Sequence, residues 1–126
     1  MHKPPSFIAL LVPETFATDE PVGVVAVPQS ALPGPLVESE WQYISERMWQ
    51  RLLFLGQAYG LHFSKVTEPV IDSVLLPEQC QSLIEELAFL RSIVSDPALH
   101  QALNVIVAKA EVVARSSGYR LVLSPP

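Results

Sequence analysis

Few residues of this chain could carry chemistry, and their spacing argues against most of it. Cys80 is the one cysteine, and His2, His62 and His100 are the three histidines. No pair of them has ligand spacing such as C-x-x-C or H-x-x-x-H, so no metal and no other cofactor is expected. Cys80 falls in the first turn of an expected helix, where the dipole can lower a thiol pKa and make a nucleophile. It also shares a helical stripe with Leu83, Leu87 and Leu90. That stripe turns it into the core, where desolvation raises the pKa and silences the thiol. A structural role is expected.

Acids come as Glu85–Glu86, Asp19–Glu20, and Glu38 with Glu40. Adjacent side chains on a helix diverge by about 100°, so Glu85 and Glu86 cannot face one substrate together. Glu46 and Gln50 stand one turn apart and could share a ligand. Glu111 and Arg115 have the i, i+4 spacing of a solvent-side ion pair. No serine lies in a Gly-x-Ser-x-Gly elbow, and the five glycines form no phosphate loop. The expectation is a protein that is not an enzyme.

Recognition is better represented. In EWQYISERMWQRLLFLGQAYG, residues 40–60, Trp41, Ile44, Met48, Leu52, Leu55 and Tyr59 make one helical stripe. With Trp41 at 0°, Tyr43, Arg47 and Phe54 project between about 200° and 240°, with Gln50 close to the same face. Tyr43, Arg47, Gln50 and Phe54 are therefore the candidate partner-binding residues, since exposed aromatics and arginine are enriched at interface cores. Trp41, Trp49 and Tyr59 are candidates to line a small-molecule pocket between a sheet and this helix.

These residues need a scaffold, and 126 residues with 49% hydrophobic content can build one without metal or disulfide. The net charge of −5 disfavours nucleic acid, whose affinity rests on cations laid along phosphates. It suits a basic protein partner. The opening MHKPPSFIALLVPETF holds only a short apolar run broken by Pro13, unlike a secretory signal. No window has the apolar length of a membrane span. With a single cysteine, the expected setting is the cytoplasm, without membrane contact.

Seven of the twelve prolines lie within residues 1–37, a strand and loop segment in which SFIALLV and PVGVVAVP read as strands. PQSALPGPLVE links them to a first helix over 38–60, capped by Ser39 and closed by a left-handed Gly60. Residues 61–76 read as one or two strands. Pro77 opens a helix, and Asp96–Pro97 caps and opens the next, giving a helical hairpin over 77–117. YRLVL, residues 119–123, closes the chain as a strand. The sum is a single α+β domain in two layers, a mixed or antiparallel sheet of four to five short strands with about three helices on one face. Off-stripe Phe89, Ile93, Val105 and Val112 indicate that the outer side of the helix layer is partly covered, and a homodimer would cover it most simply.

The run LLPEQCQSLIEELAFLRSIVSDPALHQALNVIVAKAEVVARSSGYRLVL forms a strand, helix, SDP turn, helix and strand pattern from Val74 to Leu123. In this pattern and its acidity the chain resembles small bacterial immunity-type proteins of toxin–immunity systems. The resemblance implies a non-catalytic protein that binds and occludes a cognate toxin. It carries no residue-level motif and transfers no residue role.

Overall fold

Proline and glycine set most of the element boundaries. The computed structural model describes residues 19–29, 41–68, 70–116 and 118–126. In chain order the elements are β1 (Pro21–Pro28), β2 (Gln42–Ser45), α1 (Glu46–Ala58), α2 (Phe63–Val66), β3 (Ser73–Leu75), α3 (Pro77–Ile93), α4 (Pro97–Arg115) and β4 (Tyr119–Ser124). The expected SFIALLV strand, most of the Pro-rich linker and Ser39 lie outside the described residues.

The four strands form one antiparallel sheet in the order β2-β1-β4-β3. Val22 stands opposite Ile44, Val24 opposite Leu123, and Leu75 opposite Leu121. Side chains alternate along a strand, so these residues share the face that meets the helices. There they join Met48, Trp49 and Leu52 of α1, Leu83, Leu87 and Leu90 of α3, and Leu99, Leu103 and Ile106 of α4 in one core. The fold is two-layer α+β. Val25 and Val27 point to the other side of the sheet and are buried as well, as the unbroken apolar run of β1 leads one to expect.

Both proline boundaries hold. Pro77 and Pro97 each occupy the first turn of a helix, where the missing N–H costs nothing. At α3 the Gln79 side-chain oxygen Oε1 accepts from the Leu76 N–H at 2.9 Å. Asp96 is the N-cap residue of α4, but its side chain makes no capping hydrogen bond there. The hairpin turn is closed by His100, whose Nε2 donates to the Val94 carbonyl at 2.7 Å. Arg91 donates to the Asn104 side chain between the two helices.

Two element expectations are corrected. The first helix begins at Glu46, not near residue 38, because Gln42–Ser45 pairs with β1 as an edge strand. Tyr43 and Ile44 are good strand formers, and the three-residue spacing of Trp41 and Ile44 matched a helix by coincidence. Ser45 is the N-cap, accepting from the Met48 N–H. The second correction concerns His62–Val66, which is not a strand. The chain leaves α1 through a Schellman turn, with Gly60 at φ 66°. Leu61 N–H donates to the Gly56 carbonyl at 2.7 Å, and Gly60 N–H to that of Gln57 at 3.2 Å. It then coils into α2, which buries Phe63 against α1. At the other end of the hairpin, α4 stops at Arg115, ahead of Gly118.

Candidate partner-binding surface

The outer face of α1 is set by what its inner face buries. Met48, Trp49, Leu52, Leu53 and Gly56 point inward, which leaves Arg47, Gln50, Arg51, Phe54 and Gln57 outward at helical spacing. Phe54 lies in the middle of this face and is 65% exposed, an unusual fate for a phenylalanine. Along one flank runs a groove of about 340 Å³. Gln50, Leu53, Phe54 and Gln57 of α1 form one wall, and Ser64, Lys65, Thr67 and Glu68 form the other. An aromatic ring, two amides, a cation and an anion thus converge on one hollow.

The far wall is built mainly by side-chain hydrogen bonds. The Glu86 carboxylate on α3 accepts from His62 N–H at 2.5 Å and from Phe63 N–H at 3.0 Å. Thr67 Oγ1 donates to the Phe63 carbonyl at 2.7 Å. Ser73 Oγ accepts from Glu68 N–H at 2.8 Å, and Trp49 Nε1 donates to the Glu68 carbonyl. On the near wall, the Gln50 amide donates to Glu46 at 3.2 Å.

Arg47 is anchored. Its Nε and Nη2 donate to both oxygens of Asp19 at 2.5–3.0 Å, and Ser45 Oγ donates to the same carboxylate at 2.5 Å. These bonds hold the Asp19 carboxyl at about 2, with Arg47 the larger cause and Ser45 the second, and they raise the Arg47 pKa. The cluster ties the start of β1 to the first turn of α1. It fixes the guanidinium at the N-terminal end of α1 as part of a planar pair.

Of the four nominated partner-binding residues, Arg47, Gln50 and Phe54 do share a helix face. Tyr43 does not. It sits on β2, opposite Gly23, on the side of the sheet away from the helices, and is half exposed. The nominated pocket residues are dispersed. The Trp41 ring lies against Gly23 on that same side, within 2.7 Å of where a Cβ would stand. Trp41 and Tyr43 meet there at a hollow of about 190 Å³. Trp49 is 1% exposed in the core. Tyr59, at the end of α1, stacks edge-on with Phe89 at 5.4 Å. A pocket formed by Trp41, Trp49 and Tyr59 is ruled out by these positions, because the strand at β2 reverses the side that Trp41 faces.

Sequence reasoning missed Gln57, Lys65, Glu68 and the Glu86 clamp. Gln57 was accessible, being one turn from Phe54 and two from Gln50. Glu86 reaches His62 and Phe63 across more than 20 residues, and Lys65 and Glu68 come to face α1 only because the chain turns back at Gly60, so they leave no local signal. Cys80 is wholly buried, and burial pushes its thiol up to about 11. Glu111 and Arg115 form the exposed i, i+4 pair at 3.5 Å. Phe89, Ile93 and Val112 are exposed, and Val105 is partly buried against the core. Val105 and Val112 help line a trough of about 500 Å³ between α4 and β2.

Among the described residues no helix is long and apolar enough to cross a membrane, and no three His, Cys, Asp or Glu cluster as metal ligands would. Comparison with protein-family models, with curated proteins and with solved structures gives no match.

Proposed function

We propose that this chain is a non-catalytic protein-binding module whose contact surface is the outer face of α1 with its adjoining groove. The observation that carries this reading is Phe54, a ring 65% exposed at the centre of a helix face and at the lip of a groove. Burying such a ring against a partner yields most of its transfer free energy, about 1.5–3 kcal/mol, whereas leaving it in water yields none. Gln50 and Gln57 beside it supply directional hydrogen bonds, and the Asp19-held Arg47 supplies a rigid polar rim.

In its sharpest form the module is an immunity-type inhibitor that occludes a basic toxin, steered to it by the net charge of −5. The same charge makes a protein a better partner than nucleic acid. A reducing cytoplasm suits the single buried cysteine. A second copy of the chain is the other occupant of this surface that the test must distinguish.

The test is Phe54→Ala, assayed for folding and for association. Folding stability should stay within about 0.5 kcal/mol, as for a surface substitution. Affinity for the partner should fall at least about fivefold, the weakening that a loss of 1 kcal/mol produces. Sedimentation of wild type and variant identifies a second copy as the partner if only the wild type self-associates. A large loss of stability with association unchanged would overturn the reading.

A further inference from the structure

The far wall of the groove has an unusual basis for its position. Its helix, α2, has four residues and buries one of them, Phe63, far too little to be stable alone. At one end it is joined to α1 through the left-handed Gly60. At the other, its continuation is tied by the Ser73 and Trp49 side-chain bonds to Glu68. Between these ends the Phe63 ring packs on Gly56 of α1, and the tie to α3 is the Glu86 carboxylate, which takes two successive backbone N–H groups from a different helix. Charge-assisted bonds of this kind are about twice as strong as neutral ones.

We propose that residues 61–68 are a latched wall: Glu86 holds them to α3, and release of that latch opens the groove by withdrawing Phe63 while the rest of the core stays folded. Four of the eight groove-lining residues, Ser64, Lys65, Thr67 and Glu68, travel with the wall. Opening therefore widens the hollow beside Phe54 and exposes the Phe63 ring, making the groove adjustable to its occupant. Phe63 is the one large side chain of the segment that is fully buried, a small share of the core, and segments that bury less than the whole open at lower free energy than the global transition, in contiguous units. The latch acts on the groove whatever occupies it, so its failure is distinguishable from failure of the partner-binding reading.

Amide hydrogen exchange followed by NMR tests the latch. In Glu86→Gln one oxygen is replaced by an amide NH2 that cannot accept. Exchange at His62 and Phe63, and with them residues 64–66, should accelerate about tenfold or more, as expected on losing a bond to a charged group. Core amides of Leu87 and Leu103 should change less than about twofold, and the neighbouring Glu85→Gln should leave both sets alone. Unchanged exchange at residues 62–66, or equal acceleration throughout the domain, would overturn the proposal. Should Glu86→Gln not fold, the wild type serves. Its amides at 62–66 should exchange with a weaker denaturant dependence than those of Leu87 and Leu103, and an identical dependence would overturn it.

Discussion

Gly56→Ala opposes helix propensity to packing within one substitution. Gly56 lies in the last turn of α1, and a glycine within a helix costs up to about 1 kcal/mol relative to alanine. By propensity alone the change should stabilise the protein. Here, however, an added Cβ would stand 2.8 Å from Phe63 Cζ, 2.9 Å from Ser64 Cβ and 3.1 Å from Phe63 Cε1. Carbon atoms prefer about 3.5–4.0 Å, so α2 must retreat by roughly 0.5–1 Å. Phe63 is buried and Ser64 Cβ is fixed to the backbone, so neither contact is relieved by swinging a flexible tip. Overpacking of this kind costs about 1–3 kcal/mol. Subtracting the propensity gain leaves a destabilisation of about 1 kcal/mol, or roughly 3–5 °C in Tm for a domain of this size. Thermal and urea unfolding of both proteins measure it. In a Phe63→Leu background the added methyl should cost less, revealing the coupling. A Tm that rises in Gly56→Ala, as propensity alone demands, would refute the close packing of α2 on α1.

Two further outcomes follow from the burial and electrostatics. Cys80 in the folded protein should label slowly with a thiol reagent at neutral pH and quickly in denaturant, since its thiol is buried and pushed up to about 11; rapid labelling of the native state contradicts its placement. Asp19 has a carboxyl lowered from 3.8 to about 2. Its contribution to stability is present above the unfolded value and lost as pH falls from about 4 through about 2. The Tm advantage of wild type over Asp19→Asn should therefore shrink across that window, and an advantage independent of pH would remove the Arg47–Asp19 pair from the account.

The parts legible in the sequence were those governed by local stereochemistry. Pro77 and Pro97 marked helix starts because proline tolerates only the first turn. Gly60 with Leu61 marked a helix end because the Schellman turn needs a left-handed residue followed by an apolar one. The apolar run of β1 between Pro21 and Pro28 marked a strand. The start of α1 was hidden because Trp41 and Ile44 fit a helical stripe as well as a strand. Pairing with β1, a contact across about 20 residues, decided between them. That one element also moved Tyr43 and Trp41 to the other side of the sheet, and with them part of the nominated surface. Residues 62–66 alternate too briefly to distinguish strand from helix. Their conformation depends on Glu86, which lies more than 20 residues away.

Whether the face of α1 around Phe54 touches another protein is tested most directly by a photo-crosslinking residue placed at position 54. The protein is expressed in the cells it comes from and irradiated, alongside a copy carrying the same residue at Gln101, exposed on α4. A discrete crosslinked species is expected from position 54 and none from position 101, and its mass shows whether the partner is a second copy or a different protein. No crosslink at position 54, or the same products from both positions, would contradict the assignment of this surface.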